Sequence, residues 1–475
     1  MSEQAKGFGA SSEEFSGHDM EQLEELNKAL TAGHQYADTL PGAMTGGGVY
    51  QYESLDKTLR LVSYEMKNLK FWPDIPKDQA YNTVEEFDVQ NSYGNNASPF
   101  FSMGDAPVEK DAGYSRHVGK VKYVGTQRKV THDLTLVKSA HGPVIAREVK
   151  NGTMFILGAQ ERALFEASET SFNSLEYEGV ESQIVAGDTN SKFQAQAFEG
   201  YNNNNSVVYD LRGSVLDEDI MEEVALTVLN NFGTPTDLYL DTKAHSDFSR
   251  SFFPKQRIAA PGTQVRGGVV IPDYQSSAGV FALKSNVFRR PRRSYLTVAN
   301  NSNAPAAPSF SIAPAAGADP ASLFGATDIG NYYYVASSFN EHGESAGTAS
   351  AIVAVTTGDK VTFTLADQVS TYGFMVFRSA KDGLATTSEF VTRIIKGTTT
   401  TLVTDLNETL PGLSKGYLMK MDADNVCFKQ LAPMMKMDLA IVGTAYRWMQ
   451  LHYGMPLVFT PRFNVVLKNI GRASA

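Results

Sequence analysis

The 475 residues carry 42 basic and 52 acidic side chains, a net charge of −10, with 42% hydrophobic and 20% charged content. That length exceeds one ordinary domain and the composition is globular, which excludes wholesale disorder; the acidic balance argues against a protein that coats nucleic acid through a global positive field. A single cysteine, Cys427, excludes an intrachain disulfide and a cysteine-cluster metal site, no run of eighteen apolar residues is present to cross a bilayer as a helix, and the first residues lack the basic start and apolar core of a signal peptide. The expectation is a multi-domain chain made inside the cell, with no membrane partner.

Residues 1–50 read as an extended arm with one helix, in which Met20, Leu23, Leu26 and Leu30 share a face before Gly33. Residues 1–40 hold eight acids, among them Glu21, Glu24 and Glu25, against two lysines, a net of −6. Such an arm is either a solvated terminus or a segment that orders against a neighbouring subunit. Residues 81–142 alternate apolar and polar residues at period two on either side of the turn-rich stretch SYGNNASPFFSMGDAP, the pattern of a long two-stranded hairpin. Seven basic residues, including Arg116, Lys120, Lys122, Arg128 and Lys129, stand between positions 110 and 138 against two aspartates, a net of +5. An isolated two-stranded hairpin is marginal in water, so this one needs a partner surface.

Ile145, Val149, Ile156, Ala159 and Ala163 give a helical period over 144–169, with Glu161 and Arg162 off the stripe and Gly152 a soft point that predicts a kink or late start. Residues 170–213 read as loop with short strands. A second helix begins at a capping Asp217, repeats Ile220, Val224, Val228 and Phe232, and ends at Gly233 and Pro235; the buried strand TDLYLDT follows. The remainder to about 298 reads as loop and irregular β-structure. From Asn300 the chain becomes Pro-, Ala- and Ser-rich, which marks a linker or domain boundary, and short strands at sandwich-like spacing then run to about 411. Long β-runs resume after Gly416, so the sandwich reads as an insertion into a larger domain.

Catalytic signals are missing from the sequence. It has no phosphate loop, no HExxH and no dinucleotide fingerprint. Asp241 and His245 show acid–His spacing, but two ligands do not make a zinc site, and Cys427 has no nearby general base. No catalytic, cofactor-binding or metal residues are expected, and the chain reads as no enzyme. The cluster Arg289, Arg290, Arg292, Arg293 around Pro291 suits a subunit contact, a phosphate site or a solvated turn better than a nucleic-acid stripe, which would need more basic residues with interleaved aromatics.

The order of these elements, closing on DIMEEVALTVLNNFGTPTDLYLDTKAHSDF and YRWMQLHYGMPLVFTPRFNVVLKNIG, resembles the major capsid proteins of tailed bacteriophages, whose fold is the Hong Kong 97 type. The resemblance implies an α+β fold with an N-terminal arm (1–50), the start of a peripheral domain (51–80) and an extended hairpin loop (81–142). A spine helix and peripheral domain (143–235), an axial domain (236–300) and, at 414–475, its return with the closing peripheral strands would complete it. Within 301–413, NYYYVASSFNEHGES, YGFMVFRSAKDG and TTTTLVTDLN resemble strands of a fibronectin type III or immunoglobulin-like module. The implied function is a virion protein, synthesised in the host bacterial cytoplasm, that self-assembles as hexamers and pentamers into an icosahedral shell. That shell would enclose double-stranded DNA without sequence-specific binding. Scaffold, portal and decoration proteins would be its partners, with carbohydrate or surface contact through 304–413. Subunit contacts would pair the basic hairpin with the acidic arm and involve the arginine cluster. A tail-associated or surface-binding protein and an encapsulin-like compartment subunit are the alternative readings.

Overall fold

The computed structural model describes residues 61–94, 100–137, 142–169, 175–190, 193, 206–251, 271–291, 294–440 and 443–472. The arm, with Glu21, Glu24 and Glu25, lies outside them, as do Arg292 and Arg293. The chain divides into two units, residues 1–62 with 136–144 and all the rest. In the first, the described residues Leu61, Val62, Leu136 and Val137 are exposed.

The second unit mixes helices and strands. In chain order its first elements are the short helix α1 (Phe71–Asp74), strands β1 (Lys77–Gln79), β2 (Val84–Ser92), β3 (Gly113–Lys120) and β4 (Lys122–Thr131), and helix α2 (His132–Leu136). The long helix α3 (Val144–Glu166), α4 (Val180–Thr189), β5 (Val208–Asp210), α5 (Glu218–Asn230), β6 (Asp237–Asp241) and α6 (Thr242–Ser251) follow, then β7 (Asp273–Ser276) and β8 (Gly279–Asn286).

Residues 309–405 are built from strands: β9 (Ser309–Ala318), β10 (Gly330–Tyr332), β11 (Tyr334–Phe339), β12 (Thr348–Ala349), β13 (Val353–Val355), β14 (Asp359–Ala366), β15 (Gly373–Arg378), β16 (Glu389–Ile395) and β17 (Thr400–Asp405). The chain closes with β18 (Ser414–Met419), β19 (Val426–Asp438), β20 (Ala445–Val458) and β21 (Val465–Ile470).

Two sheets carry the main core. One has the order β5-β21-β18-β6-β8-β7, the other β1-β19-β20-β4. Strand β6 is buried at all five positions because it sits inside its sheet, parallel to β8 and antiparallel to β18. Phe71, Phe165, Tyr239, Tyr417 and Phe428 fill the core between sheets and helices. The all-β segment has a separate core, in which Tyr334 and Phe374 from the sheet β12-β11-β15-β16 meet Phe363 and Val403 from β17-β14-β9.

The helices at 144 and 217 form, and Asp217 Oδ1 accepts the Ile220 N–H at 3.0 Å as the cap of α5, but α5 ends at Asn230, so Phe232 lies beyond it and is exposed. Other expectations are corrected. Gly152 does not break α3. Its bare face lets the helix lie against β20, where an added Cβ would meet the Gln450 side chain, which donates to the Val149 carbonyl at 2.7 Å. The stripe of α3 is also rotated, so that Ala159 is exposed and Glu161 buried. The 81–142 region is no single hairpin: β2 pairs β3, but at the buried Val121 the chain changes partners and β4 joins β20. Two helices, α4 and α6, stand where loop or irregular structure was expected. The Pro- and Ala-rich stretch after Asn300 is no linker either, because it contains β9, an edge strand on which Pro314 costs no ladder bond to a second neighbour.

Candidate assembly interface

The β2–β3 ribbon pairs only with itself, in register from Val84 opposite Lys120 to Gln90 opposite Tyr114, with a one-residue shift before Ser92 meets Gly113. Beyond its far end Tyr93 and Phe100 are 95% and 87% exposed, and Phe101, Met103 and Tyr114 are exposed beside them. Exposed aromatic residues at the end of a ribbon are what an interaction surface presents.

The basic residues of this region are largely paired within the chain. Arg116 reaches across the ribbon to Asp88 at 2.9 Å and Glu86 at 3.2 Å, and its hydrogen bond holds the Asp88 carboxyl below its ordinary range. Lys120 and Lys122 share Glu169 at 3.2 and 3.1 Å; burial opposes ionisation of that carboxyl, but the two lysines outweigh it and lower its pKa. Arg128 lies 3.7 Å from Glu148 of α3. Lys129 is exposed with no ion pair among the described residues. The excess positive charge counted along the sequence is thus mostly answered by Glu86, Asp88, Glu148 and Glu169, which the fold brings to it.

The arginine cluster splits. Arg289 is 2% exposed, inside the subunit rather than on its surface. Its guanidinium lies between the rings of Phe165 and Tyr417, 4.8 and 4.6 Å from their centres, donates to the Tyr417 hydroxyl at 2.8 Å and pairs with Glu166 at 3.1 Å. Tyr417 in turn donates to Glu181 at 2.6 Å, and Lys415 meets the same carboxylate at 2.6 Å. Burial pushes the Glu181 pKa up, but these partners override it and hold it at about 2. Arg290 remains exposed, 3.5 Å from the Thr242 hydroxyl.

Sequence reasoning missed Glu161. This fully buried carboxylate accepts the backbone N–H groups of Lys70, Phe71 and Trp72 at 2.9, 2.7 and 2.8 Å and the Asn286 amide at 2.7 Å, tying α1 and β8 to the C-terminal part of α3. Nothing in its local sequence distinguishes it from a solvent-facing helical glutamate. Of the remaining chemical candidates, Cys427 is buried with its thiol pushed up to about 12, chiefly by burial, and His245 faces the Ile271 carbonyl at 3.3 Å. Among the described residues no three histidine, cysteine or acidic side chains gather to hold a metal, and no helix is long and apolar enough to cross a membrane.

This architecture is accompanied by a likeness to capsid proteins that runs nearly end to end. No protein-family model matches the sequence. The chain is 22% identical over 462 residues to the major capsid proteins of Staphylococcus phage S25-3 and Staphylococcus phage K, covering 94% of this chain and 95% of each relative. It is equally similar, over 471 residues, to a protein of Enterococcus phage phiEF24C provisionally described as its major capsid protein. Among solved structures, the capsid of a native GTA particle aligns with 92% of this chain and all of its own, at 10% identity and a TM-score of 0.44. The holo-SrpI encapsulin of Synechococcus elongatus PCC 7942 aligns with 88% of this chain and 95% of its own, at 9% identity and a TM-score of 0.39. The chain is thus similar to proteins named as phage major capsid proteins along almost its whole length.

Proposed function

We propose that the chain is the major capsid subunit of a tailed bacteriophage, a virion protein that assembles in many copies. The single observation that carries this is the end-to-end likeness to named major capsid proteins, which leaves no large part of the chain over for another activity. It favours the capsid over a tail-associated binder or a cargo compartment. The self-paired ribbon with its exposed aromatic end suits a protein that works through its interfaces.

The finer reading is a Hong Kong 97-type fold, in which residues 81–142 contain the extended loop and α3 is the spine. The six-stranded sheet and its helices would be divided between peripheral and axial domains. Residues 301–413 are read as an inserted fibronectin type III or immunoglobulin-like domain; their separate core supports this, as does the pairing of β18, after the segment, with β6, before it. Hexamers and pentamers closing an icosahedral shell around double-stranded DNA, with scaffold, portal and decoration proteins as partners, complete the proposal. The subunit would be synthesised in the host cytoplasm. The exposed large hydrophobics of the all-β segment are aliphatic, Ile312, Val369 and Leu402 among them, so surface or carbohydrate contact there would proceed without an aromatic stacking platform.

Electron microscopy of the purified full-length protein, paired with sedimentation velocity, tests the reading. Closed polyhedral shells or uniform rings of five and six subunits are expected. A monomer that stays monomeric with its scaffold co-expressed, and that binds glycans, would overturn it in favour of the surface-binding protein.

A further inference from the structure

The chain enters the all-β domain through residues 294–308 and leaves it through 406–413. Two covalent connections alone would let the domain swing, which is the default for domains joined by small polar interfaces. The structure adds fixed contacts at separate places. Arg212, in the turn between β5 and α5, reaches over the seam: its guanidinium donates to the Asn407 carbonyl at 2.7 Å and to the Leu323 carbonyl, with Asp328 3.9 Å away. Elsewhere, Arg393 on β16 makes a two-pronged contact with both oxygens of Glu176, just ahead of α4, one of them at 3.0 Å. A planar guanidinium facing a carboxylate in this way resists rotation as well as separation.

Asn469 closes the exit. Its side chain accepts the Leu410 N–H at 2.8 Å and donates to the Glu408 carbonyl at 2.8 Å and to Asp210 at 2.7 Å. Six non-glycine residues among those described hold positive φ, and three of them, Arg212 (49°), Asn407 (62°) and Asn469 (53°), lie at this seam. Residues with a Cβ rarely adopt that conformation, and it persists only where surrounding contacts over-determine it. Asparagine adopts it more readily than most; of the three, Arg212 is the one whose side chain is held by contacts made across the seam.

We infer that the all-β domain is locked in one orientation on the rest of the subunit, with Arg212 and Arg393 as its two clamps, and is not carried on a flexible tether. The lock goes beyond the capsid reading and does not depend on it, since it is read within one chain.

The test is a spin-label distance measurement on the full-length protein. Labels go on Val369→Cys in the all-β domain and Val280→Cys in β8, both exposed, while the native Cys427 is buried. Labelled protein is diluted with unlabelled so that neighbouring copies do not contribute. A narrow distance distribution is expected for the otherwise unaltered chain, widening at least twofold in R212A/R393A. The milder pair R212K/E176Q, which keeps the long side chains in place, is measured alongside and should widen it part-way, so the result does not depend on the alanine variant folding. A broad distribution before any clamp is changed, or one left unmoved by R212K/E176Q and by a folded R212A/R393A, would overturn the inference.

Discussion

Glu161→Gln tests whether a buried carboxylate, and not apolar packing alone, fixes α1 and β8 onto α3. With the glutamine oxygen at the Oε1 position, the acceptor for Lys70, Phe71 and Asn286 survives, but the new NH2 faces the Trp72 N–H that Oε2 had accepted at 2.8 Å. One hydrogen bond to a charged group is lost, two donors oppose each other and three remaining bonds become neutral, for a cost of about 3 kcal/mol, since a charged hydrogen bond contributes ~1.5–3 kcal/mol. Glu161→Ala leaves four donors without their acceptor at ~1–3 kcal/mol each, with water recovering part of that at the exposed Lys70 and the half-buried Trp72, so about 5 kcal/mol is expected. That is a large share of a typical ~5–15 kcal/mol stability, and the alanine protein should accumulate poorly. Denaturant unfolding of the unassembled subunit, followed by tryptophan fluorescence, measures both; Trp72 lies in α1 and is one of only two tryptophans, so its environment reports the site directly. A glutamine variant within about 0.5 kcal/mol of the parent, the ordinary range for surface substitutions, would refute the reasoning.

Three further outcomes are expected. His452, stacked on Phe428 and bonded to Gln160 at 2.6 Å, has its pKa lowered to about 4, first by burial and then by the charge of Lys77. The unfolded chain therefore takes up the proton first, so stability should fall by about 3 kcal/mol as pH drops from 6.5 to about 4, and His452→Gln should flatten that part of a pH–melting profile. Gly187→Ala gains about 1 kcal/mol of helix propensity in α4, but its Cβ would stand 2.3 Å from the rigid Pro461 ring, so the net effect should be a loss of about 1–3 kcal/mol by denaturant titration. Lys129→Glu breaks no ion pair described within the subunit; it should leave the subunit's melting unchanged and lower shell yield, and an unchanged yield would remove Lys129 from the interface.

What could be read in the sequence divides along lines of chemical locality. Helices α3 and α5 were legible because their apolar periods span several turns, and α5 carries its own cap in Asp217. Helix α6 was not, since its ten residues bury only Ala244 and Phe248 from the apolar set, too few for a period to show. The Pro- and Ala-rich stretch misled because composition reports flexibility of the free chain, whereas β9 is held by its partner β14. Pairings such as β6 with β18 join residues about 180 positions apart and leave no local mark. The candidate contacts suffered most: a count of charges along the chain could not show that Arg116, Lys120 and Lys122 meet acids of their own subunit, nor that Arg289 ends between two aromatic rings.

The strand order of the six-stranded sheet bears on how the subunit comes into being. Strand β21 lies between β5 and β18, so β5 cannot join the sheet until residues 465–470 have left the ribosome. The all-β segment, whose strands all fall within residues 309–405, can fold while synthesis continues. A growing chain therefore cannot complete its main core until those residues have emerged, and fragments released before then lack the strand that ties β5 to the rest of the sheet. For the assembly proposed above, late closure of the sheet would keep chains on neighbouring ribosomes from docking before each is whole.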